Sequence, residues 1–415
     1  MAETKKVVVI GAGIIGVCTA LALQARGMAV ELLDADAPGR GASYGNAGGI
    51  GVTEVVPLAA PGVLRRVPGW LLDPLGPLAI RPAYLPRLLP WLWRFLRCAN
   101  LEKVHHVAAA MSDLLRPTYD DFAPLMRDAG LAGEPARRGA ITVYKTEARL
   151  AADRLVWQVK AACGIRARRI GPEEIRDREP ALAPNYAAAM LEPDWGLVGD
   201  PYKVVTALAA LFRQRGGALH RGRAIGFDHG NGRPRAVRTG DGGRYAFDMA
   251  VIAAGAWSQR LLRLLGERVP LETERGYNTT LPTPGVRLND QVIFGTGKFV
   301  MTPLEMGLRI GGAAEFAGLD APPNFARSKA LLTQAARALP GLRTEGGTEW
   351  MGHRPTLPDS LPVIGRSARH ANVFHAFGHG HLGLTQAPTT GRLIAELAAG
   401  ETPGIDLTPF RVDRF

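Results

Sequence analysis

The first 34 residues combine short apolar runs with a glycine-rich turn, and this pattern predicts a strand, a helix and a second strand. Residues 7–10 are a run of β-branched residues, as expected of a buried parallel strand. The turn at residues 11–16 leads into a helix that ends near Arg26 and has apolar residues at helical spacing. A second apolar run at residues 29–33 is closed by Asp34. Two parallel strands joined in this way are expected to have a right-handed crossover.

Periodicity along the rest of the chain predicts further strands and helices and shows no internal repeat. The predicted elements are strands at 139–144 and 247–253, and helices at 147–163, 201–215, 326–339 and 385–399. Residues 112–129 are predicted to form one helix, interrupted by Pro117 and Pro124. Residues 270–312 alternate between apolar and polar positions, which favours a largely antiparallel sheet.

Residues 57–101, the Trp/Arg/Pro segment, mix bulky apolar side chains with arginines. Three of the seven tryptophans of the chain lie here, and the seven prolines that follow Pro57 are expected to break the segment into short pieces. Such a composition is typical of a surface that enters lipid while its guanidinium groups meet phosphates. A helical lid that covers the substrate with its apolar face would have the same composition. Both interpretations stay open.

The overall composition is that of a globular protein with an excess of basic residues. Of 415 residues, 47% are hydrophobic and 21% charged, and the formal net charge is +12. This length predicts two or three domains. A positive surface suits nucleic acid, anionic lipid or acidic metabolites. No block of consecutive basic residues and no RNA-binding signature is present in the sequence, so nucleic acid is not expected as a partner.

Cysteine and histidine spacing argues against metal sites and disulfides. Cys18, Cys98 and Cys163 lie far apart, and the pair His105 and His106 has no third ligand at metal spacing. The N-terminus has no apolar signal segment, and no uncharged stretch approaches the ~18 residues of a membrane span. The expected location is the cytoplasm, either free or peripheral on the cytoplasmic face of the inner membrane.

The glycine motif of the first turn is the strongest chemical signal in the sequence. In Gly11-Ala12-Gly13-Ile14-Ile15-Gly16 the first glycine permits a tight turn, the second lets the backbone approach a pyrophosphate, and the third lets helix and strand pack closely. Asp34 ends the second strand, where a carboxylate accepts bonds from ribose hydroxyls. The motif therefore predicts FAD or NAD, because a free acid disfavours the phosphorylated ribose of NADP. The small-residue loop from Arg40 to Ile50 favours FAD, since it is long enough to lie along an extended dinucleotide.

Several further blocks resemble one family, the D-amino acid oxidase-like FAD enzymes. They are the loop at residues 40–50, the strand and turn at 251–258, the run at 352–359 followed by 362–365, and the glycine-rich stretch at 378–385. Within this family the sequence is most similar to bacterial D-amino acid dehydrogenases, which have a comparable Trp/Arg/Pro-rich segment. The resemblance implies an α/β fold (α+β overall). It combines a Rossmann-like FAD-binding domain at residues 1–56, 196–262 and 346–415 with a discontinuous substrate domain at 57–195 and 263–345, built on a mostly antiparallel sheet.

The resemblance also implies a set of cofactor contacts and non-covalent attachment of FAD. Glycines at 378, 380 and 383 are expected to admit the edge of a flat ring, and the helix that follows to direct its N–H groups at the pyrimidine edge of the flavin. The predicted contacts are Gly11, Ala12, Gly13, Ile14, Ile15, Gly16, Asp34, Ala35, Ser43, Asn46, Ala47, Gly48, Gly49, Ile50, Ala254, Gly255, Trp257, Gly378, Gly380, His381, Leu382, Gly383, Leu384 and Thr385.

Three residues are candidates for the substrate side of the site. Arg354, in an Arg-Pro pair that matches the family, is expected to bind a substrate carboxylate through its planar fork of donors. The alternative is a structural arginine paired with Asp359 or another acid. Tyr277 is expected to hydrogen-bond the carboxylate or to close the pocket, and the alternative is a surface or core tyrosine. His353 stands where the family has an aliphatic residue.

The resulting functional hypothesis is oxidative deamination of small neutral or proline-like D-amino acids. A hydride passes from Cα to flavin N5, an imine gives a 2-oxo acid, and a quinone-type acceptor takes the electrons, with an anionic membrane surface as a further partner. The amine lone pair assists hydride departure, so no strong protein base is expected. The alternatives are a glycine- or sarcosine-type oxidase that uses oxygen, and a non-catalytic membrane-associated flavoprotein subunit.

Overall fold

The computed structural model describes residues 4–73 and 76–415. The first three residues of the N-terminus, and Pro74 and Leu75 of the Trp/Arg/Pro segment, lie outside the described residues. Within these ranges the strands are β1 Lys6–Ile10, β2 Ala29–Asp34, β3 Gly49–Ile50, β4 Leu78–Ile80, β5 Ala136–Arg137, β6 Ala140–Tyr144, β7 Arg168–Ile170, β8 Ala188–Glu192, β9 Gly196–Leu197, β10 Ala218–Arg221, β11 Ala224–Gly230, β12 Arg233–Thr239, β13 Arg244–Ala246, β14 Met249–Ile252, β15 Glu272–Leu281, β16 Gln291–Phe294, β17 Phe299–Leu304, β18 Gly307–Phe316, β19 Thr348–Thr356, β20 Val363–Arg366 and β21 Val373–Phe377. The helices are α1 Ile14–Gln24, α2 Val63–Leu72, α3 Leu85–Cys98, α4 Leu101–Leu115, α5 Thr118–Asp128, α6 Glu147–Ala152, α7 Arg154–Ala162, α8 Pro172–Arg178, α9 Pro201–Gln214, α10 Ser258–Leu264, α11 Ala326–Ala338 and α12 Gly383–Ala399.

A six-stranded sheet with the order β10-β2-β1-β14-β21-β20 forms the first half of the fold. All neighbouring strands in it are parallel except β20 and β21, and β1 pairs with β2 from Lys6 opposite Ala29 to Ile10 opposite Leu33. Val7 and Val9 pack towards α1, α9 and α12, whereas Val8 and Ile10 pack towards β11–β13 and α10. Both faces of the sheet are therefore covered, which explains its continuous apolar strands. The predicted strand–helix–strand unit and the Rossmann-like fold are confirmed.

Helices α1 and α12 pack against each other at short range. A Cβ on Gly391 of α12 would lie 2.7 Å from the backbone carbon of Cys18, so only glycine allows this approach. Cys18 is completely buried at this contact. The close contact fixes the N-terminus of α12 relative to the glycine turn that precedes α1.

A second sheet has the order β19-β15-β18-β17-β16-β6-β8-β7, with β4 paired to β18. Most of its neighbours are antiparallel, as predicted for residues 270–312, but β6 and β16 are parallel, as are β4 and β18. Helix α11 covers one face through Leu331 and Ala335, which pack with Met301 and Ile310. This sheet provides the second wall of the large cavity described below.

Two predicted helices differ in detail. The single helix predicted at 112–129 is two helices, α4 and α5, and the first begins at Leu101, where the Asn100 side chain accepts a bond from Lys103 N–H. The helix predicted at 147–163 is divided into α6 and α7 at Asp153. Capping side chains and tertiary contacts determine these ends, and the apolar period alone does not encode them.

The Trp/Arg/Pro segment is divided into α2, β4 and α3, as its prolines predict, but Pro90 does not interrupt the longest of these pieces. Helix α3 continues through Pro90, and Pro86 lies in the first turn, where a missing N–H costs little. Leu88 and Trp91 are buried against Phe316, and this burial offsets the hydrogen bond that Pro90 removes. None of the described helices is both long and apolar enough to span a bilayer.

Two sets of contacts cross the predicted domain boundaries, which remain a prediction. Strand β19, assigned to the FAD-binding domain, pairs along its whole length with β15 of the second sheet. Helices α4 and α5, assigned to the substrate domain, contribute Val104, Leu114 and Phe122 to the core that contains α1 and α12.

Candidate active site

A cavity of about 1150 Å³ lies between the two large sheets. The carboxyl ends of β1, β2 and β14 open into it, as is usual for ligand sites of open α/β sheets. The opposite wall comes from β15, β18 and β19 of the second sheet. Its volume exceeds that of most single-ligand pockets, so it has room for a dinucleotide together with a small substrate.

Most of the residues predicted from the sequence line this cavity. They are Gly11, Gly13, Ile14, Ile15, Asp34, Ala35, Ser43, Asn46, Ala47, Gly49, Ala254, Gly255, Trp257, Tyr277, His353, Arg354, Gly380, His381, Leu382, Gly383 and Leu384. Among the predicted set, those outside the cavity wall are Ala12, Gly16, Gly48, Ile50, Gly378 and Thr385. Thr385, one of these, lies behind the cavity wall. It accepts a 3.0 Å bond from Gly51 N–H and so joins the loop after β3 to α12.

The glycine turn has the geometry that its motif predicts. Gly11 has φ of 114°, and a Cβ there would lie 2.7 Å from the carbonyl carbon of Ala253. A Cβ on Gly16 would overlap the Gly11 carbonyl. Beside Gly13, by contrast, the nearest atom is the Ser43 hydroxyl oxygen at 3.5 Å from the position of a Cβ. The backbone is thus open where a pyrophosphate would approach the N-terminus of α1.

Asp34 lies at the end of β2, where the motif requires an acid. Its carboxylate accepts bonds from Ala12 N–H at 2.6 Å and Asp36 N–H at 2.9 Å. Burial raises the pKa of Asp34, and these two backbone donors partly oppose that rise. The same carboxylate that is positioned for a ribose therefore also stabilises the glycine turn.

The loop that follows the second strand is held in place by the second sheet. Arg309 donates a 2.5 Å bond to the carbonyl of Asn46, and Asn278 donates a 2.8 Å bond to the carbonyl of Gly45. The Trp350 ring lies directly against Gly45. None of these three was predicted, because the contacts join residues more than 200 positions apart.

The C-terminal glycine-rich stretch forms the far end of the cavity. Helix α12 begins at Gly383, two residues earlier than predicted, and a Cβ on Gly380 would meet no atom within 4 Å. His379 is buried and bonds Thr390 through Nε2, and burial lowers its pKa to about 3. His381 is solvent-accessible within the cavity, and desolvation by the surrounding walls lowers its pKa as well. Both histidines are therefore neutral near pH 7, and the N-terminal N–H groups of α12 face the cavity.

Arg354 reaches the cavity from β19. Its Nη1 donates to Glu274 Oε1 at 2.7 Å and to the Ala313 carbonyl at 3.0 Å, and its Nη2 donates to the Gly312 carbonyl at 3.4 Å. Within the described part of the chain the Nε–H has no protein acceptor. One edge of the guanidinium, Nε with the second Nη2 hydrogen, is thus available for a carboxylate.

The acid that pairs with Arg354 is Glu274, a residue that the sequence analysis missed. Asp359, the acid considered there, is bound to Arg414 at 2.7 Å instead. Glu274 lies directly opposite Arg354 in the β15–β19 pair. Two positions further on, Gly276 lies beneath the guanidinium. A cross-strand partner cannot be identified until the register is known, so only the pairing of β15 with β19 reveals it.

The other two substrate-side candidates have protein partners. The Tyr277 hydroxyl donates to Glu315 at 2.5 Å and accepts from Asn324 N–H at 3.0 Å, and the side chain is buried. These bonds favour the core interpretation of Tyr277. His353 shares a 2.8 Å hydrogen bond between Nδ1 and the Thr273 hydroxyl, and burial lowers its pKa to about 4.

A buried ionic cluster, also missed from sequence, lies at another part of the cavity wall. Lys160 Nζ is 2.6 Å from Glu54 Oε1 and 2.7 Å from Glu192 Oε1. Lys160 and Glu54 line the cavity, whereas Glu192 does not. A carboxylate four residues beyond Ile50, in a stretch otherwise made of small and apolar residues, was the available signal.

Helix α3 of the Trp/Arg/Pro segment roofs part of the cavity. Trp91, Leu92 and Phe95 line it from above. On the opposite side of the same helix Leu89 is 55% exposed and Trp93 56% exposed. The segment is therefore a lid on its inner face and leaves an apolar stripe on its outer face.

Comparisons with known proteins show which family the chain resembles over most of its length. The family described as DAO, FAD-dependent oxidoreductase, matches residues 6–397. A D-amino-acid oxidase of Bradyrhizobium diazoefficiens is 38% identical over all of both chains. A D-amino acid dehydrogenase of Phenylobacterium zucineum is 34% identical over 98% of this chain and 97% of that protein.

Solved structures with the same fold are more distant in sequence. Glycine oxidase from Geobacillus kaustophilus has a TM-score of 0.73 at 22% identity, over 99% of this chain and all of that chain. L-proline dehydrogenase from P. horikoshii has a TM-score of 0.76 at 21% identity, over all of this chain and 98% of that chain. At this level of identity the structures support the fold.

Proposed function

The chain belongs to the DAO family of FAD-dependent oxidoreductases, and on this premise we propose that it oxidises D-amino acids to imines that hydrolyse to 2-oxo acids. Small neutral and proline-like D-amino acids are the proposed substrates. The observation that carries the proposal is Arg354, which lines the cavity that also contains the dinucleotide motif and whose Nε–H has no acceptor among the described residues. A carboxylate bound side-on to the Nε edge of the guanidinium would be fixed in orientation as well as in position.

The protein contributes binding, orientation and electrostatics, while bound FAD supplies the two-electron acceptor. Arg354 would bind the substrate carboxylate, and the N-terminus of α12 would stabilise negative charge at the far end of the cavity. FAD is proposed to bind non-covalently. His353 and His379 have pKa values of about 4 and about 3, so neither adds positive charge near the reacting amine at neutral pH. A neutral amine can then assist hydride departure with its own lone pair.

A quinone-type acceptor is proposed for the electrons, reached through the lid. Leu85 and Leu96 are exposed and also border the cavity, so the outer stripe of α3 adjoins the cavity rim. Arg87 and Arg97 are exposed beside this stripe, and Arg97 lies over the Trp93 ring at 4.6 Å. Tryptophan, leucine and arginine in this arrangement suit the interface of an anionic bilayer. Peripheral attachment there would bring the cavity rim close to a lipid-soluble acceptor.

Sedimentation with anionic liposomes tests the membrane part of the proposal. The wild-type protein is expected to co-sediment at low salt, and the double variant Leu89→Asp/Trp93→Asp to stay in the supernatant. Ile225, 51% exposed on β11, provides the control, and Ile225→Asp should co-sediment like the wild type. Wild-type protein that remains in the supernatant would contradict attachment.

Oxygen is the alternative acceptor, favoured by the similarity to a protein named D-amino-acid oxidase. The two acceptors are separated by reducing the flavin anaerobically with substrate and then mixing it with oxygen or with a soluble quinone. The proposal predicts faster reoxidation by the quinone. Reoxidation that is faster with oxygen would identify an oxidase.

A further inference from the structure

The Lys160 side chain lies between two carboxylates and is almost completely shielded from solvent. Its side chain is 4% exposed, that of Glu192 is fully buried, and that of Glu54 is 29% exposed. Glu54 follows the loop that lines the dinucleotide region, Lys160 comes from α7, and Glu192 ends β8. The exposed part of Glu54 belongs to the cavity wall.

The Lys160 ammonium serves both carboxylates of this cluster through one oxygen of each, and the nearby Lys298 ammonium is itself paired with Asp153 at 3.5 Å. Among the described residues Lys160 alone donates to the Glu54 side chain, through Oε1, and the second carboxylate oxygen has no protein donor. Since Glu54 alone of the two carboxylates reaches the cavity, that oxygen is available to a cation there.

Of the two carboxylates, Glu54 is the one that keeps its charge. Burial would raise the pKa of Glu54, but the adjacent Lys160 outweighs it and the pKa is lowered. Burial raises the pKa of Glu192, and in that case the raised value prevails. A negative charge is therefore concentrated on the member of the pair that faces the ligand.

Glu54 and Arg354 adjoin the same glycine-rich stretch of the cavity wall. Gly380 N–H donates to the carbonyl of Pro355, next to Arg354, at 2.9 Å, and Gly51 N–H, three residues before Glu54, donates to Thr385 Oγ1 at 3.0 Å. Glu274 is already bound to Arg354, so of these two acids Glu54 remains for a second ligand charge. A guanidinium and a carboxylate at one part of the wall suit a zwitterion.

We propose that Glu54 binds the amino group of the substrate, so that Arg354 and Glu54 together hold the two charged ends of an amino acid. The inference rests on the proposed function and extends it to the recognition of the amine. The ammonium form binds, and one proton passes from it to solvent before the Cα–H bond breaks. Lys160 is then a positioning residue that holds the Glu54 carboxylate at the cavity wall.

The test compares two ligands that differ only in the amine, D-alanine and propanoate. Binding of each is measured on the FAD-loaded enzyme, for D-alanine as the concentration that half-saturates anaerobic flavin reduction, and for propanoate as the Kd from the flavin spectrum. Glu54→Gln is expected to weaken the binding of D-alanine about 10- to 100-fold, the range for the loss of a hydrogen bond to a charged group. Propanoate should change less than about threefold, since it has no amine.

Glu192→Gln is the matched control, because it removes the other carboxylate from Lys160 without altering the cavity wall. It should not change the ratio of the two affinities. Glu54→Asp keeps the charge but withdraws it by one methylene, so it should weaken D-alanine binding less than Glu54→Gln does. It also provides a second variant to test if Glu54→Gln loses FAD. An equal shift for both ligands in Glu54→Gln, or the same selective loss in Glu192→Gln, would overturn the inference.

The inference and the proposed function fail in different ways. If no D-amino acid reduces the wild-type flavin, the proposed function is wrong and the inference falls with it. If the wild type is reduced by D-alanine and Glu54→Gln keeps the wild-type ratio of affinities, only the inference is wrong.

Discussion

Replacing Gly276 with alanine should displace the guanidinium of Arg354 while leaving the fold intact. A Cβ at position 276 would lie 2.5 Å from Cζ and 2.7 Å from Nε of Arg354. Favourable contacts between such atoms are about 3.5 Å or longer, so the guanidinium must move by roughly 1 Å. It is the end of a flexible side chain, and the backbone of β15 need not shift with it.

The consequence should appear in substrate binding and turnover. A displacement of this size would lengthen the 2.7 Å bond to Glu274 and misalign the carboxylate-binding edge. Misplacement of a positioning group by about 1 Å can cost on the order of 100-fold, so kcat/KM for the best D-amino acid should fall about 10- to 100-fold. FAD affinity should change little, because Gly276 lies on the opposite wall from the glycine turn.

The assay is steady-state turnover with a quinone-type acceptor, together with a fluorescence titration of FAD. Gly240→Ala is the control, since its Cβ would meet only a methyl group of Ile225 at 3.7 Å and it lies away from the cavity. Unchanged kcat/KM in a folded, FAD-replete Gly276→Ala enzyme would refute the role assigned to the position of the Arg354 guanidinium.

Other predictions concern the same site. Arg354→Ala should raise KM for the best D-amino acid far more than it weakens FAD, since it removes the charged fork and leaves Glu274 without its partner; an unchanged KM would exclude the carboxylate role. Acidification should destabilise the protein as pH falls from about 6.5 towards 4. In this range the unfolded chain takes up protons on histidines that the native state holds neutral. These are His379, with a pKa of about 3, and His353, with a pKa of about 4. His379→Gln should reduce the loss at pH 5 by about 2 kcal/mol in chemical denaturation, and an unaltered pH dependence would contradict the assignment of a neutral buried His379.

The parts of the structure that could be predicted from sequence are those encoded locally. The turn before α1 requires glycine at 11 for its φ of 114° and at 16 because a Cβ there would overlap the Gly11 carbonyl, so the motif and its strand–helix–strand context were sufficient. The ends of α9 were equally accessible, because the Asp200 side chain caps Tyr202 and Lys203 N–H within three residues.

Residues that act across strands or between domains could not be predicted in this way. Glu274 becomes the partner of Arg354 only through the register of β15 with β19. Lys160 meets Glu54 and Glu192 from three separate elements. A single sequence contains no periodic signal for such pairs, and their buried charges resemble ordinary surface residues until the fold is known.

Pro90 and Tyr277 are two further residues whose structural role could not be decided from the sequence. The Trp/Arg/Pro segment is divided into α2, β4 and α3 as its prolines predict, but the packing of Leu88 and Trp91 against Phe316 keeps α3 continuous through Pro90. For Tyr277 the sequence left a pocket role and a core role open, and the bonds to Glu315 and Asn324 favour the core role. Tertiary contacts decided both cases.

The proposed oxidation of D-amino acids is tested most directly by the enantiomer that reduces the flavin. Stopped-flow measurement of anaerobic flavin reduction with D- and L-forms of alanine and proline tests this without any assumption about the electron acceptor. We expect rapid, saturable loss of the visible flavin absorption with at least one D-enantiomer and a much slower reaction with its L-form. Reduction by the L-forms alone, or by neither form, would contradict it.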